Sequence, residues 1–344
     1  MQNKILYTNL MSKVSVIIPT KNRQEYLKKN LNALVNQTVA PDEVIVADNG
    51  STDNTKKIIS SFKDKLPIKY LLVKKSGVTH ARNNAVKKAT HEIVAFLDDD
   101  CEAKNNWIEK IKKNQHYLDT HVVQGKSINP NKKNIIAEVM YFCSETGVRV
   151  CISESKIINN QIDNKPIFFD FLDTKNLVIG KKIIKKVGTL FDNNLESYNY
   201  GEDTELGIRL HSMGISSIYC EDIKVDHHYI DNLMPFIKKS FLAGKTQVAV
   251  TKIIKMKHKE RYENEKKYAE IFGNKAMKNI VGKRLKNVRI ISNEYFRILS
   301  KKYSPLRIIT FKSLFYGHIL FKNLGIYYQK LLYLFIKLPY THSR

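Results

Sequence analysis

Cysteine is scarce in this chain and dispersed. Four occur in 344 residues (Cys101, Cys143, Cys151 and Cys220), and no two stand in a CxxC or zinc-type spacing. A disulfide-framed miniature and a cysteine-built zinc module are therefore excluded. Long hydrophobic runs are missing too. No stretch reaches the roughly 18 uncharged apolar residues that a membrane-crossing helix needs. The opening MQNKILYTNLMSKVSVII lacks the apolar core of a secretory leader. These absences lead us to expect a reduced, cytoplasmic protein without a spanning helix. Internal repeats and long low-complexity linkers are also lacking.

Acidic residues are the other shortage. Asp and Glu number 33 against 58 Lys plus Arg, a net charge of +25. Such a surplus calls for an anionic partner: nucleic acid, an acidic membrane surface or phosphorylated substrates. The cations are 48 Lys and only 10 Arg in a chain rich in Asn and Ile, so genomic base composition contributes to the total. Its placement is uneven. Residues 1–230 carry 33 basic and 27 acidic side chains, whereas residues 231–344 carry 25 and 6. The surplus belongs to the C-terminal third.

What is present supports a sizeable core, with 43% hydrophobic residues and length enough for two or three domains. Val14–Ile18, Glu43–Ala47, Ile68–Val73 and Ile93–Leu97 are short runs that read as buried strands. Between them, apolar residues recur at helical spacing: Leu27, Leu31, Leu34 and Val35; then Ile58, Ile59 and Phe62; then Ala81, Ala85, Val86 and Ala89. Alternation of this kind predicts an α/β protein with a mostly parallel sheet covered on both faces. Polar clusters follow the strands: Pro19–Arg23, Asp48–Ser51 and Asp98–Asp100. Ligands of open α/β sheets sit at that carboxyl edge. Residues 120–200 are less regular, and Ile135–Cys143 and Phe168–Leu172 read as helix or strand. After residue 230 the chain reads as basic and mainly helical.

Asp98, Asp99 and Asp100 repel one another, so a site that keeps them ionised wants a cation. Mg²⁺ or Mn²⁺ shared with substrate phosphates is one reading; the other is a cap for the helix containing Trp107, Ile108 and Ile111. Asn49-Gly50 is a turn, with Ser51 or Thr52 as a helix cap. Arg82 faces a diphosphate or solvates a helix. Glu202-Asp203-Thr204-Glu205 opens a helix with Leu206, Leu210 and Met213 on one face. There Glu205 can pair with Arg209 one turn on, and Asp203 or Glu202 can take a proton from a hydroxyl, kept ionised but less basic by the helix N-terminus. His227 and His228 are structural, or one offers a neutral imidazole to a metal.

In order, VSVIIPTKNR, DEVIVADNGSTDNT, GVTHARNNAVKKATHEIVAFLDDDC, KNLVIGKKIIKKVGTLFDNNL and YGEDTELGIRLHSMG resemble the motifs of glycosyltransferase family 2. The resemblance covers about residues 12–230. It implies a GT-A fold, Rossmann-like, with a nucleotide-sugar half at about 12–120 and an acceptor half at about 121–230. It further implies an inverting enzyme of the bacterial cell-surface polysaccharide type. Thr20, Asn22 and Arg23 would lie along the nucleotide, Asp48 and Asn49 near the base, and Arg82 close to the donor. Asp98 and Asp99 would contact ribose or support the site. Asp100 would hold Mn²⁺ or Mg²⁺, with His227 rather than His228 as the late histidine. Asp203 would be the general base and Glu202 would shape the acceptor pocket. Many uridine-diphosphate users have Asp where this chain has Asn49, which leaves uridine and thymidine carriers both open. A glycan or polyprenyl-linked acceptor is implied.

Residues 231–344 form the second expected region, a basic amphipathic helical segment. Lys312, Lys322, Lys330 and Lys337 fall within an arc of roughly 80° on a helix, between Phe, Leu and Tyr. That suits a helix lying in an anionic membrane interface on the inner face of the cell membrane, or one packed on the catalytic domain. Gly317 and Gly325 are expected to break it into shorter pieces. Two other functional classes fit the sequence less well. A nucleic-acid binder has no zinc, RNA-binding or helix-turn-helix signature here, and a catalytically silent scaffold leaves Asp100 and Asp203 unexplained. Nucleic acid is therefore not expected as a partner.

Overall fold

The computed structural model describes residues 12–154, 157–158, 161–162, 172–198, 201–257, 297 and 303–335. The chain divides into two compact units: residues 1–130 with 161–228, and residues 131–160 with 229–344. Of the sequence expectations, Phe168–Phe171, Ile336 and Lys337 lie outside the described residues.

In the first unit the predicted alternation is present. The elements are β1 (Val14–Thr20), α1 (Gln24–Val35), β2 (Glu43–Asp48), α2 (Thr55–Ser60), β3 (Ile68–Leu72), α3 (Val78–Lys88) and β4 (Ile93–Leu97). There follow β5 (Cys101–Ala103), α4 (Trp107–Lys113) and β6 (His121–Ile128), and after the excursion into the second unit β7 (Asn176–Gly180), α6 (Lys181–Val187), α7 (Glu202–Ser212) and β8 (Ser216–His227). Helix α5 (Ile135–Glu154) belongs to the second unit.

One eight-stranded sheet runs in the order β3-β2-β1-β4-β7-β6-β8-β5. Strands β1 to β4 are parallel neighbours, as are β6 and β8, while β7 and β5 run antiparallel to theirs. The sheet is thus mixed beyond β4. Every residue of β1, β2, β4 and β7 is buried, which is why those strands read as apolar runs rather than alternations. The two-residue period still divides them. Val14, Val16, Ile18, Val44 and Val46 pack with Leu27, Leu31, Trp107 and Ile111 on one face. Ile17, Ile45, Ala47 and Phe96 pack with Ala81, Ala85, Leu206 and Leu210 on the other. Each fully buried Leu or Ile contributes about 1.5–3 kcal/mol, so the two layers fix where every strand ends.

Two capping expectations are corrected. Helix α4 starts at Trp107 after Asn106, and a strand, β5, separates it from the three aspartates; Asp98–Asp100 do not cap it. Helix α2 starts at Thr55, whose N–H is accepted by Asp53 Oδ1 at 3.0 Å, so neither Ser51 nor Thr52 caps it.

The second unit contains α5, α8 (Leu233–Lys257) and α9 (Pro305–Phe335). Ile135–Cys143 is therefore helical. Phe142 sets its ring 5.8 Å from Phe311 and 5.3 Å from Phe315 in a small core with Ala137, Val139 and Phe236. Contacts between α8 and α9 advance together, from Ser240–His318 to Gly244–Lys322 to Lys245–Tyr328, so the two helices run parallel. Gly317 and Gly325 do not break α9, which is continuous over 31 residues. A Cβ on Gly325 would lie 2.1 Å from the Phe241 carbonyl oxygen, and one on Gly244 1.8 Å from that of Lys322. These glycines permit backbone contact instead. Lys322 is half-buried rather than part of an exposed charged stripe. No described helix is long and apolar enough to cross a membrane.

Candidate functional site

The acid turn is built at the carboxyl end of β4. Cys101 N–H closes it on the Asp98 carbonyl at 3.0 Å. Asn30, fully buried on α1, donates to the carbonyls of Asp98 (2.9 Å) and Cys101 (2.8 Å). Asn30 was missed from sequence, although a polar residue inside the Leu27–Leu31–Leu34 face was the available signal. Strand β8 lies antiparallel to β5 with His227 opposite Cys101, which brings the imidazole to the turn.

Each carboxylate in the turn has cationic or hydroxyl partners. Asp98 accepts from Arg82 at 2.8 Å. Asp99 accepts from Thr20 Oγ1 at 2.7 Å and from Arg23 at 2.8 Å. Asp100 accepts from Arg23 at 2.8 Å and lies 3.4 Å from His227 Nε2. Burial drives Asp99 up to about 7, with the Asp100 charge adding, against the pull of Arg23 and Thr20. Asp100 is half-buried, and although burial pushes its carboxyl up, His227 and Arg23 hold it well below the usual range. Arg23 also stacks 4.9 Å from the ring centre of Tyr26.

Arg82 is buried and spans two elements. One nitrogen donates to Asp98; another donates to Glu202 Oε1 at 2.9 Å, at the first turn of α7. Its guanidinium sits 5.6 Å from the centre of the Phe191 ring. The next residue, Asp203, accepts the Thr204 N–H at 2.8 Å. That bond favours the ionised form, as the helix N-terminus was expected to do. Burial and the adjacent Glu202 outweigh it and raise Asp203 to about 7, so this carboxylate is more basic than usual, not less. Glu205 pairs with Arg209 at 3.0 Å as the spacing suggested.

Asn22, Asp48 and Asn49 form a second, adjoining cluster. Asn22 takes a positive φ of 53°; its Oδ1 accepts the Thr52 N–H at 2.6 Å and its own N–H donates to Ser51 at 2.9 Å. Asp48 accepts from the Ser51 N–H (2.8 Å) and from the Tyr70 hydroxyl (2.9 Å), a partner not anticipated from sequence. Asn49 donates to the carbonyls of Val73 and Lys75 and accepts the Gly77 N–H. Its amide is fully engaged in holding the loop before α3. His228 instead pairs with Glu102 at 2.5 Å.

A carboxylate oxygen and an imidazole nitrogen 3.4 Å apart can both reach one divalent ion at about 2.0–2.2 Å. Asp100, His227 and Cys101 are the described group whose ligand atoms lie within 4.8 Å of one another. Burial pushes the Cys101 thiol well above its ordinary value, which leaves an oxygen–nitrogen pair suited to Mg²⁺ or Mn²⁺.

Residues 15–155 match the profile of Glycosyl transferase family 2. Glycosyltransferase AglE of Haloferax volcanii is 28% identical over 247 residues, covering 71% of this chain and 75% of that protein. Residues 15–155 thus form a family 2 glycosyltransferase domain. The transferase is also 30% identical to validoxylamine A glucosyltransferase of Streptomyces hygroscopicus, over 59% of its own length but about half (48%) of that protein's. Its fold is shared by mannosyltransferase PcManGT of Pyrobaculum calidifontis, solved with GDP-Man and Mn²⁺, at a TM-score of 0.53 and 14% identity over 95% of this chain and 88% of that one. A mixed α/β GT-A sheet with its acid turn at the carboxyl edge is the architecture of this enzyme.

Proposed function

We propose that this glycosyltransferase moves a sugar from a nucleoside-diphosphate donor to a hydroxyl of a glycan or polyprenyl-linked glycan, with inversion, in cell-surface polysaccharide synthesis. The observation that carries the reading is the Arg82 bridge, which sets the Asp98–Asp100 turn and the Glu202–Asp203 pair around one buried cation. An acid turn suits a phosphate-bound cation, and a basic carboxylate beside it suits deprotonation of an acceptor. The Mn²⁺ and GDP-Man of the Pyrobaculum protein are a cation and a donor of that class.

In this reading Asp100 and His227 hold Mg²⁺ or Mn²⁺, which when bound supplies neutralising charge to the departing diphosphate. Arg23 adds a second cation beside it. Thr20, Asn22, Asp48 and Asn49 shape the nucleotide side, Asn49 through the loop it holds, and Asp98 and Asp99 support the site. Asp203 removes the acceptor proton as the hydroxyl attacks the anomeric carbon from the face opposite the leaving group, and Glu202 raises its basicity. The basic helices of the second unit hold the enzyme at an anionic membrane on its cytoplasmic face, where lipid-linked acceptors are available.

Asp203→Asn is the direct test. Sugar transfer should fall about 10²–10⁴-fold, while nucleotide binding in the presence of Mn²⁺ stays near wild type. Turnover at the wild-type rate would remove Asp203 from the base role.

A further inference from the structure

Six large apolar side chains of α9, Leu306, Ile309, Tyr316, Leu320, Leu324 and Tyr327, are each between 46% and 73% exposed. At 100° per residue they fall within an arc of about 80° and extend along roughly 32 Å of helix. No charged residue lies inside that arc; Lys312, also exposed, borders it. The opposite side is spent on packing, with Phe311 buried and Gly325 against α8. Between Leu306 and Tyr327 the one polar side chain within the arc is Ser313, and a soluble surface rarely leaves so long an apolar stripe without a partner.

We propose that this stripe of α9 is the face that enters an anionic lipid bilayer, lying at the boundary between headgroups and acyl chains. The inference rests on the membrane reading above and assigns it to particular residues. Charge complementarity selects the partner. Helices α8 and α9 together contain ten Lys or Arg and no Asp or Glu. A second copy of this chain would bring like charges together, whereas an acidic leaflet attracts each of them. Nucleic acid would engage the cations but has no use for Leu306, Ile309, Leu320 and Leu324. Tyr316 and Tyr327 have rings suited to the apolar side and hydroxyls suited to the headgroup level.

The test uses the full chain, flotation with vesicles of phosphatidylcholine alone or with phosphatidylglycerol, and an Ile309→Glu/Leu320→Glu double variant. Both sites are exposed, so the melting temperature should stay within about 2 °C of wild type. Wild type should float with the phosphatidylglycerol vesicles and retain part of that binding in high salt. The variant should bind at least about tenfold more weakly. If wild type binds and the variant binds equally, the stripe assignment fails while the membrane reading stands. If wild type ignores anionic vesicles, both fail. A variant that instead changes from dimer to monomer in sedimentation would assign the stripe to a second copy and overturn the proposal.

Discussion

The two units use charge in opposite ways. At the sheet edge of the first, acids are concentrated and each is held: Asp98 and Glu202 by Arg82, Asp99 and Asp100 by Arg23. In helices α8 and α9 of the second, cations stand without any acid on either helix. The difference extends to residue type. Arg is rare, 10 against 48 Lys, yet Arg23, Arg82 and Arg209 make multidentate contacts in the first unit. A planar fork holds two acceptors at fixed geometry, whereas a lysine ammonium works well as a solvated point charge. Net charge therefore describes the second unit and says little about the first.

Beside the loss of Asp203, the larger effect follows from the acid turn. Chelation by EDTA should reduce sugar transfer about 10²–10³-fold, in line with the several kcal/mol a bound cation contributes to leaving-group charge, and Mn²⁺ or Mg²⁺ should restore it. Vesicle binding by the helical unit should be unaffected by the same treatment. Full activity in chelator would mean that Arg23 suffices beside the acid turn, and the two units would then both rely on fixed cations.

The sheet edge was legible because buried strands and their polar ends leave a local signature. VAFLDDD carries a strand and its turn and GEDTEL a helix start, and Asp100 and Asp203 could be named from them. What closes the site is not local. Arg82 reaches Glu202 across 120 positions, and no periodicity states that a helix cation serves a turn and a distant helix at once. The amide of Asn49 is taken up by the loop at Val73–Gly77, partners about 25 positions away that no local pattern states. Gly325 illustrates the same gap in the helical unit. A glycine in a helix reads as a break until the neighbouring backbone is known.

The comparison is next sharpened by removing one cation from each unit. Arg82→Met leaves Asp98 and Glu202 without their shared buried partner, and loss of one member of a buried pair costs about 3–5 kcal/mol. Lys238→Gln removes an exposed charge of α8 and should change stability by less than about 0.5 kcal/mol. Thermal or urea unfolding of both variants reads the contrast directly. Equal small losses would show that the Arg82 bridge is solvated and that the sheet edge resembles the helices after all.

The smallest effect is a pH dependence, and it separates catalytic from structural use of the same carboxylate. Burial and Glu202 raise Asp203 to about 7, so the base is lost by protonation as pH falls below that value. Transfer should drop about tenfold per pH unit on the acid side. Asp99 also lies at about 7, and Glu202→Gln distinguishes the two: it removes the like charge beside Asp203 and should move the limb to lower pH, while Asp99 is controlled by Asp100 and Arg23. Stability runs the other way. A folded-state pKa above the ordinary carboxylate value means the folded chain holds the proton more tightly than the unfolded chain. That contribution is complete below about pH 4 and is lost as pH rises through 7. Asp203→Asn should therefore gain in melting temperature relative to wild type between pH 5 and pH 8, even as transfer disappears. A variant that lost both activity and stability at pH 8 would mean that Asp203 holds the fold together, and that the sheet edge spends this acid on structure rather than chemistry.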